Sequence, residues 1–131
     1  MKLSTKGRYG LMAMEVLKDS YGKGPVSVST VAEEKNISEA YLEQLFSLMK
    51  KHGLLKSLRG AQGGYELARS PEEITIEDIL VSLEGQPELS CCDGTSDKAC
   101  VEGENCRMKS ILDRIEDGIS EVTASIKLSE L

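Results

Sequence analysis

Between Val31 and Met49 two apolar stripes meet across three residues, Asn36-Ile37-Ser38, and little else can be built there but two helices and a tight turn. Thr30-x-x-Glu33 reads as a capping box opening a short helix that turns Val31 and Ala32 inward. Asn36 tolerates the left-handed backbone of a helix exit, and Ile37 can plug the corner. Ser38 is a good N-cap for the next helix, with Glu39 favourable in its first turn. Leu42, Leu45, Phe46 and Met49 form that helix's buried stripe, and Gly53 ends it. Upstream, Tyr9, Met12, Ala13, Val16 and Leu17 repeat at helical spacing until Gly22, Gly24 and Pro25, and Val26-Ser27-Val28 is fit for a brief strand.

This is the pattern of a helix-turn-helix. The exposed start of its second helix offers Ser38, Ala40, Tyr41, Glu43 and Gln44, side chains suited to base edges. The rival is a small helical bundle with a solvated polar face. The next segment of the chain favours the helix-turn-helix. Leu54 to Leu58 reads as a strand, Arg59-Gly60-Ala61-Gln62-Gly63-Gly64 as a glycine-rich turn, and Tyr65-Glu66-Leu67 as the returning strand. A hairpin in that place is a wing. Its glycines let the backbone come close to a phosphate, and Arg59 suits a narrow minor groove. Lys50, Lys51, Lys56 and Arg59 gather around it. His52 reads as a surface residue at the helix end.

Charge divides the chain. Residues 1–70 hold 11 Lys and Arg against 7 Asp and Glu, a net +4; residues 71–131 hold 5 against 15, a net −10. An acidic protein can still meet a polyanion through a basic half, because the local field governs the encounter. At 131 residues the chain can bury roughly 65–70% of its unfolded surface and needs no disulfides. With no Trp and one Phe the core must be aliphatic. No apolar run suits a secretory signal or a membrane span, so a cytoplasmic protein is expected, with cysteines serving as metal ligands or reactive thiols.

The acidic half has two parts. Ile74, Ile76, Ile79, Leu80 and Leu83 predict a short helix stopped by Gly85 and Pro87. Met108, Ile111, Leu112, Ile115, Ile119, Val122 and Ile126 predict a long helix whose stripe meets its own copy in a homodimer. Between them lie all four cysteines: Cys91, Cys92, Cys100 and Cys106. Cys92-x7-Cys100-x5-Cys106 suits a soft metal centre, and spacings this wide wrap an iron–sulfur cluster more naturally than the knuckles of a zinc site. Zinc, or a metal-free thiol loop, is the alternative. No histidine or general base is suitably paired with a cysteine, so no enzyme and no small-molecule substrate are expected.

The expected fold is thus mainly α with a small β-hairpin wing: a winged helix-turn-helix over 1–85, a cysteine-containing cluster loop over 86–106, and a dimerisation helix and tail over 107–131. Lys6-Gly7-Arg8-Tyr9-Gly10, Tyr41-Leu42-Glu43-Gln44-Leu45 and Arg59-Gly60-Ala61-Gln62-Gly63-Gly64-Tyr65 resemble the Rrf-two family of bacterial winged-helix regulators, over the whole chain to Leu131. The resemblance implies a homodimeric transcription regulator, a repressor, bound to a double-stranded DNA operator. Lys6, Arg8, Lys50, Lys56, Arg59, Gly60 and Gln62 are expected at the DNA together with Ser38, Ala40, Tyr41, Glu43 and Gln44. It also implies that Cys92, Cys100 and Cys106 bind a cluster, 2Fe–2S or 4Fe–4S, as in IscR-type members that respond to cluster supply, iron, nitric oxide or redox state.

Two departures leave the fourth ligand open. IscR-type members carry a histidine three positions after the last cysteine, where this chain has Lys109. Some nitric-oxide-sensing members use an Asp near the N-terminus of the partner subunit, where this chain has Arg8 and no carboxylate. Cys91, Asp93, Asp97, Glu102, Glu104 or a small exogenous thiol are the candidates. CymR-type members, similar in the N-terminal half, lack the three cysteines, so that subclass fits less well. The alternative is a cluster-independent or zinc-binding regulator of the same family, for example of cysteine metabolism, and an iron–sulfur redox protein without DNA is the remoter one.

Overall fold

The computed structural model describes residues 4–61, 63–87, 89 and 107–131. The order is α1 (Thr5–Asp19), α2 (Val28–Lys35), α3 (Glu39–Lys51), β1 (Leu55–Leu58), β2 (Gly64–Leu67), α4 (Ile76–Glu84) and α5 (Arg107–Ser125), then a 3-10 turn at Leu128–Glu130. The two strands are antiparallel, with Leu55 opposite Leu67 and Leu58 opposite Gly64.

The core is aliphatic around one ring. Phe46, Leu42, Leu45 and Met49 of α3 are fully buried, with Met14 and Ala13 of α1, Val31 of α2 and Ile79 of α4. The face α1 turns inward differs from the expected stripe. Tyr9 and Met12 are only half-buried, whereas Gly7, Gly10 and Met14 are buried. The glycines are there because α4 packs against them: a Cβ on Gly10 would stand 2.1 Å from Leu83 Cδ1. Glycine carries little hydropathy signal, so that contact is invisible to periodicity.

Caps set most boundaries. Asn36 takes the left-handed conformation, φ 53°, as its sequence position suggests. Ser38 Oγ accepts the Tyr41 N–H at 3.2 Å and opens α3. The capping box expected at Thr30 and Glu33 is not the start of α2. Ser27 is the N-cap, with its Oγ accepting the Thr30 N–H at 3.2 Å. Tertiary pairing moves the cap three residues upstream of Thr30. Val26 is held extended by a two-way bridge to Tyr65, N to O 2.9 Å and O to N 2.8 Å, so the helix starts directly after it. Ser27 and Val28 thus belong to a cap and a helix, and of the expected strand only Val26 pairs. Ile74 precedes α4 instead of joining it; Thr75 caps that helix in a reciprocal box with Asp78.

Ile126 is likewise off its expected helix. α5 ends at Ser125, and the chain turns back to the core: Ile76 N–H donates to Ile126 O at 2.9 Å, and Leu128 N–H to Ile74 O at 2.8 Å. Leu128 is fully buried. No described residue of α5 is buried. No helix among the described residues is long and apolar enough to cross a membrane.

The bridge at Val26 leaves no room beside it. A Cβ on Gly64 would lie 2.2 Å from Val26 O and 2.8 Å from Ser27 N, both backbone atoms that cannot rotate away. Gly64→Ala is expected to cost about 1–3 kcal/mol, the range for forced overpacking. A urea unfolding curve checks this, with the midpoint falling and the slope unchanged.

Candidate nucleic-acid interface

α3 is amphipathic, and burying its apolar stripe leaves the opposite side in solvent. Ser38, Ala40, Glu43 and Gln44 are exposed. Ala40, Glu43, Gln44, Ser47, Leu48 and Lys51 line an open groove along that side. Ser47 is missing from the sequence-predicted set; it stands one turn beyond Glu43, and that spacing is the signal that finds it. Tyr41 is turned from the row. It is half-buried and meets Tyr9 edge-on, with ring centroids 5.9 Å apart and planes at 84°.

The wing is locked to this helix. Tyr65 of β2 lies against Phe46 of α3, ring centroids 4.8 Å apart. Lys50 Nζ donates to Ser57 Oγ at 2.7 Å, joining the last turn of α3 to β1. Lys56 pairs with Glu66 across the strands at 3.1 Å. Lys50 and Lys56 are therefore engaged in part in the wing's own geometry, while Arg59 and Gly60 stand exposed at its tip. Gly60 has φ 115°, a backbone that favours glycine. Gln62 lies outside the described residues. His52 is exposed at the α3 terminus, with Nδ1 3.1 Å from Leu48 O.

Lys6 and Arg8 are exposed in the opening turns of α1. Exposed apolar side chains are concentrated on α5: Met108 at 56%, Ile111 at 48%, Ile115 at 47% and Val122 at 58% exposure. Their spacing puts them on one face of the helix.

Cys91, Cys92, Cys100 and Cys106 lie outside the described residues, as do Asp93, Asp97, Glu102 and Glu104. Among the described residues no group of three or more His, Cys, Asp or Glu side chains is placed to hold a metal ion.

A family model described as Rrf2, iron-dependent transcriptional regulator, matches residues 3–131. The chain belongs to the Rrf2 family. Among this Rrf2 protein's relatives, the transcriptional regulator CymR of Bacillus subtilis is 43% identical over all of this chain and 89% of its own. Two solved structures are similar throughout. T. potens IscR has TM-score 0.78 and 42% identity, covering 98% of this chain and 84% of that one. CymR of B. subtilis, described as its global cysteine regulator, has TM-score 0.79 and 40% identity, covering 98% and 94%. The Rrf2 chain is thus a transcriptional regulator rather than an enzyme, with the winged-helix architecture of these relatives.

Proposed function

We propose that this protein is a homodimeric repressor that reads an operator through α3 and the wing, and that an iron–sulfur cluster in residues 86–106 switches its affinity. The observation that carries the DNA reading is the joining of two elements. The polar face of α3 and the exposed Arg59–Gly60 tip are tied together by Phe46 against Tyr65 and by Lys50 on Ser57. Ser38, Ala40, Glu43 and Gln44 face bases in this reading, with Gln44 able to pair with adenine and Glu43 to accept from cytosine, while Tyr41, expected among them, is half-buried against Tyr9. Lys6, Arg8, Lys50, Lys56, Arg59, Gly60 and Gln62 contact the backbone or minor groove.

The division into 1–85, 86–106 and 107–131 accords with this assignment. The exposed face of α5 supports pairing with a second copy, which sets two recognition helices about 34 Å apart, one turn of DNA, or a multiple of it. Three thiols at Cys92, Cys100 and Cys106 are chemically suited to iron, and the resemblance to IscR-type members supports a cluster there. When bound, a cluster supplies a redox-sensitive charge between α4 and α5. The signal is cluster supply, iron, nitric oxide or redox state, and the protein is cytoplasmic.

A second reading has its own support. A CymR described as a global cysteine regulator is 40% identical, which favours a cluster-independent role in cysteine metabolism. Iron and sulfide analysis of protein purified without oxygen separates the two.

The DNA reading is tested by binding-site selection with salt titrations. Glu43 repels phosphate while selecting bases, so Glu43→Ala is expected to bind more sites, some more tightly. Arg59→Ala is expected to weaken binding across sequences and flatten the salt dependence by about one ion per subunit. Lost discrimination in Arg59→Ala with an unchanged slope assigns Arg59 to base reading. Indifference of both variants moves the DNA surface elsewhere.

A further inference from the structure

The opening turn of α1 lacks a carboxylate of its own, and α4 supplies one. Ser4 caps α1, its Oγ accepting the Gly7 N–H at 3.3 Å, and no acidic residue lies in the first turn. The free N–H groups there carry partial positive charge. Glu84, the last residue of α4, reaches over that turn. Its Oε1 accepts the Ser4 N–H at 3.2 Å. Its carboxyl carbon and both oxygens lie 3.1 Å from where a Gly7 Cβ would stand. One turn along, Leu83 packs on Gly10. The carboxylate is thus delivered by two helices pressed together at glycines, and Gly7 leaves the space it occupies.

Lys6 and Arg8 stand exposed beside this contact, and Gly85 leads from it into residues 86–106. We propose that Glu84 is a positioning residue for DNA binding: it holds the first turn of α1 so that Lys6 and Arg8 meet phosphate. The proposal rests on the DNA reading of α3 and the wing. It adds a physical link between the end of α4 and the turn of α1 that carries those two cations.

The sign of one substitution decides the matter. A carboxylate that merely sits near the DNA repels it, and its removal raises affinity. A carboxylate that positions two cations lowers affinity when it is lost. The probe is a duplex recovered by selection with the wild-type protein. Glu84→Ala is expected to bind it about tenfold more weakly at 0.15 M salt, with a slope flattened by up to about 2 per subunit, since each phosphate contact contributes about 0.9. Glu84→Gln keeps an acceptor oxygen for Ser4 N–H and is expected to bind at least as well as wild type. Gly7→Ala puts a Cβ 3.1 Å from the carboxylate, which need give way by only a few tenths of an ångström, and is expected to bind close to wild type. In a Lys6→Ala/Arg8→Ala background, Glu84→Ala is expected to have no further effect.

Circular dichroism melting confirms that each variant is folded; if Glu84→Ala is not, Glu84→Ser, whose short side chain cannot reach Ser4 N–H either, takes its place. Equal or tighter binding by Glu84→Ala, at an unaltered slope, overturns the proposal. If Arg59→Ala still weakens binding in that case, the DNA reading stands without it. If Arg59→Ala, Glu43→Ala and Glu84→Ala are all indifferent, the DNA reading itself falls.

Discussion

Ile115→Glu is expected to turn the protein into a folded monomer and to lower its affinity for an operator with two half-sites by roughly 10²–10⁴-fold, the scale set by linking two binding modules. Within one protomer the change is mild, because Ile115 is 47% exposed and no described residue of α5 is buried. A carboxylate there meets water and the fold stays intact. In a paired α5 the same carboxylate would be buried opposite apolar side chains without a partner, at a cost of several kcal/mol. Sedimentation velocity reads the mass, and melting reads the fold. A variant that stays dimeric moves the interface away from Ile111, Ile115, Ile119 and Val122. Binding to a single half-site is expected to be little changed, which separates lost linkage from a damaged reading head.

Replacing Cys92, Cys100 or Cys106 with Ala is expected to abolish cluster retention in each case, because a missing thiolate leaves iron open to solvent. Anaerobically purified wild-type protein is expected to be brown, with iron and sulfide in near-equal amounts. Cys91→Ala is expected to be milder, since adjacent cysteines rarely both face one cluster. DNA affinity is expected to differ between loaded and stripped wild-type protein by up to about 100-fold, the upper range of coupling between two sites. The three alanine variants are expected to behave as the stripped form whatever the iron supply. Zinc alone, after anaerobic purification and reconstitution, overturns the cluster. Metal-free protein with wild-type DNA binding supports the cysteine-related reading instead.

The parts legible in the sequence are those where local chemistry and tertiary packing agree. Asn36, Ser38 and the stripe from Leu42 to Met49 each have a local reason to do what they do, and the hairpin's glycines mark its turn. Local rules fail where a distant partner chooses. Ser27 and Thr30 are both competent caps, and Tyr65, far along the chain, selects Ser27 by holding Val26 extended. Ile126 continues the apolar rhythm of α5, yet backbone pairing with Ile76 draws it to the core. Gly7 and Gly10 form half of a helix contact but carry no apolar side chain to reveal it. The polar face of α3 is readable because the periodicity that buries Leu42, Leu45, Phe46 and Met49 leaves Ala40, Glu43 and Gln44 in solvent; Tyr41, expected with them, is half-buried against Tyr9. The link from Glu84 to Ser4 spans 80 residues and leaves no local trace.

α5 is fastened unequally. Its C-terminal end is stitched to the core by Ile76 on Ile126, Leu128 on Ile74 and Ser129 on Pro71, while along its length Glu116 takes the Leu89 N–H. At 19 residues it is about 28 Å long, and it also rests on α4, but among the described residues its backbone pairing with the core gathers at the C-terminal end, which acts as its pin. A tilt of 10° about that pin displaces the far end by about 5 Å, more than one base-pair step of about 3.4 Å. Ile111 lies roughly 22 Å from the pin and Val122 about 6 Å, at about 1.5 Å per residue. Equal changes in side-chain volume at these two positions therefore have unequal leverage. In the proposed dimer, trimming Ile111 is expected to shift the spacing of the reading heads more than trimming Val122 does, and operators with altered half-site separation would register the difference.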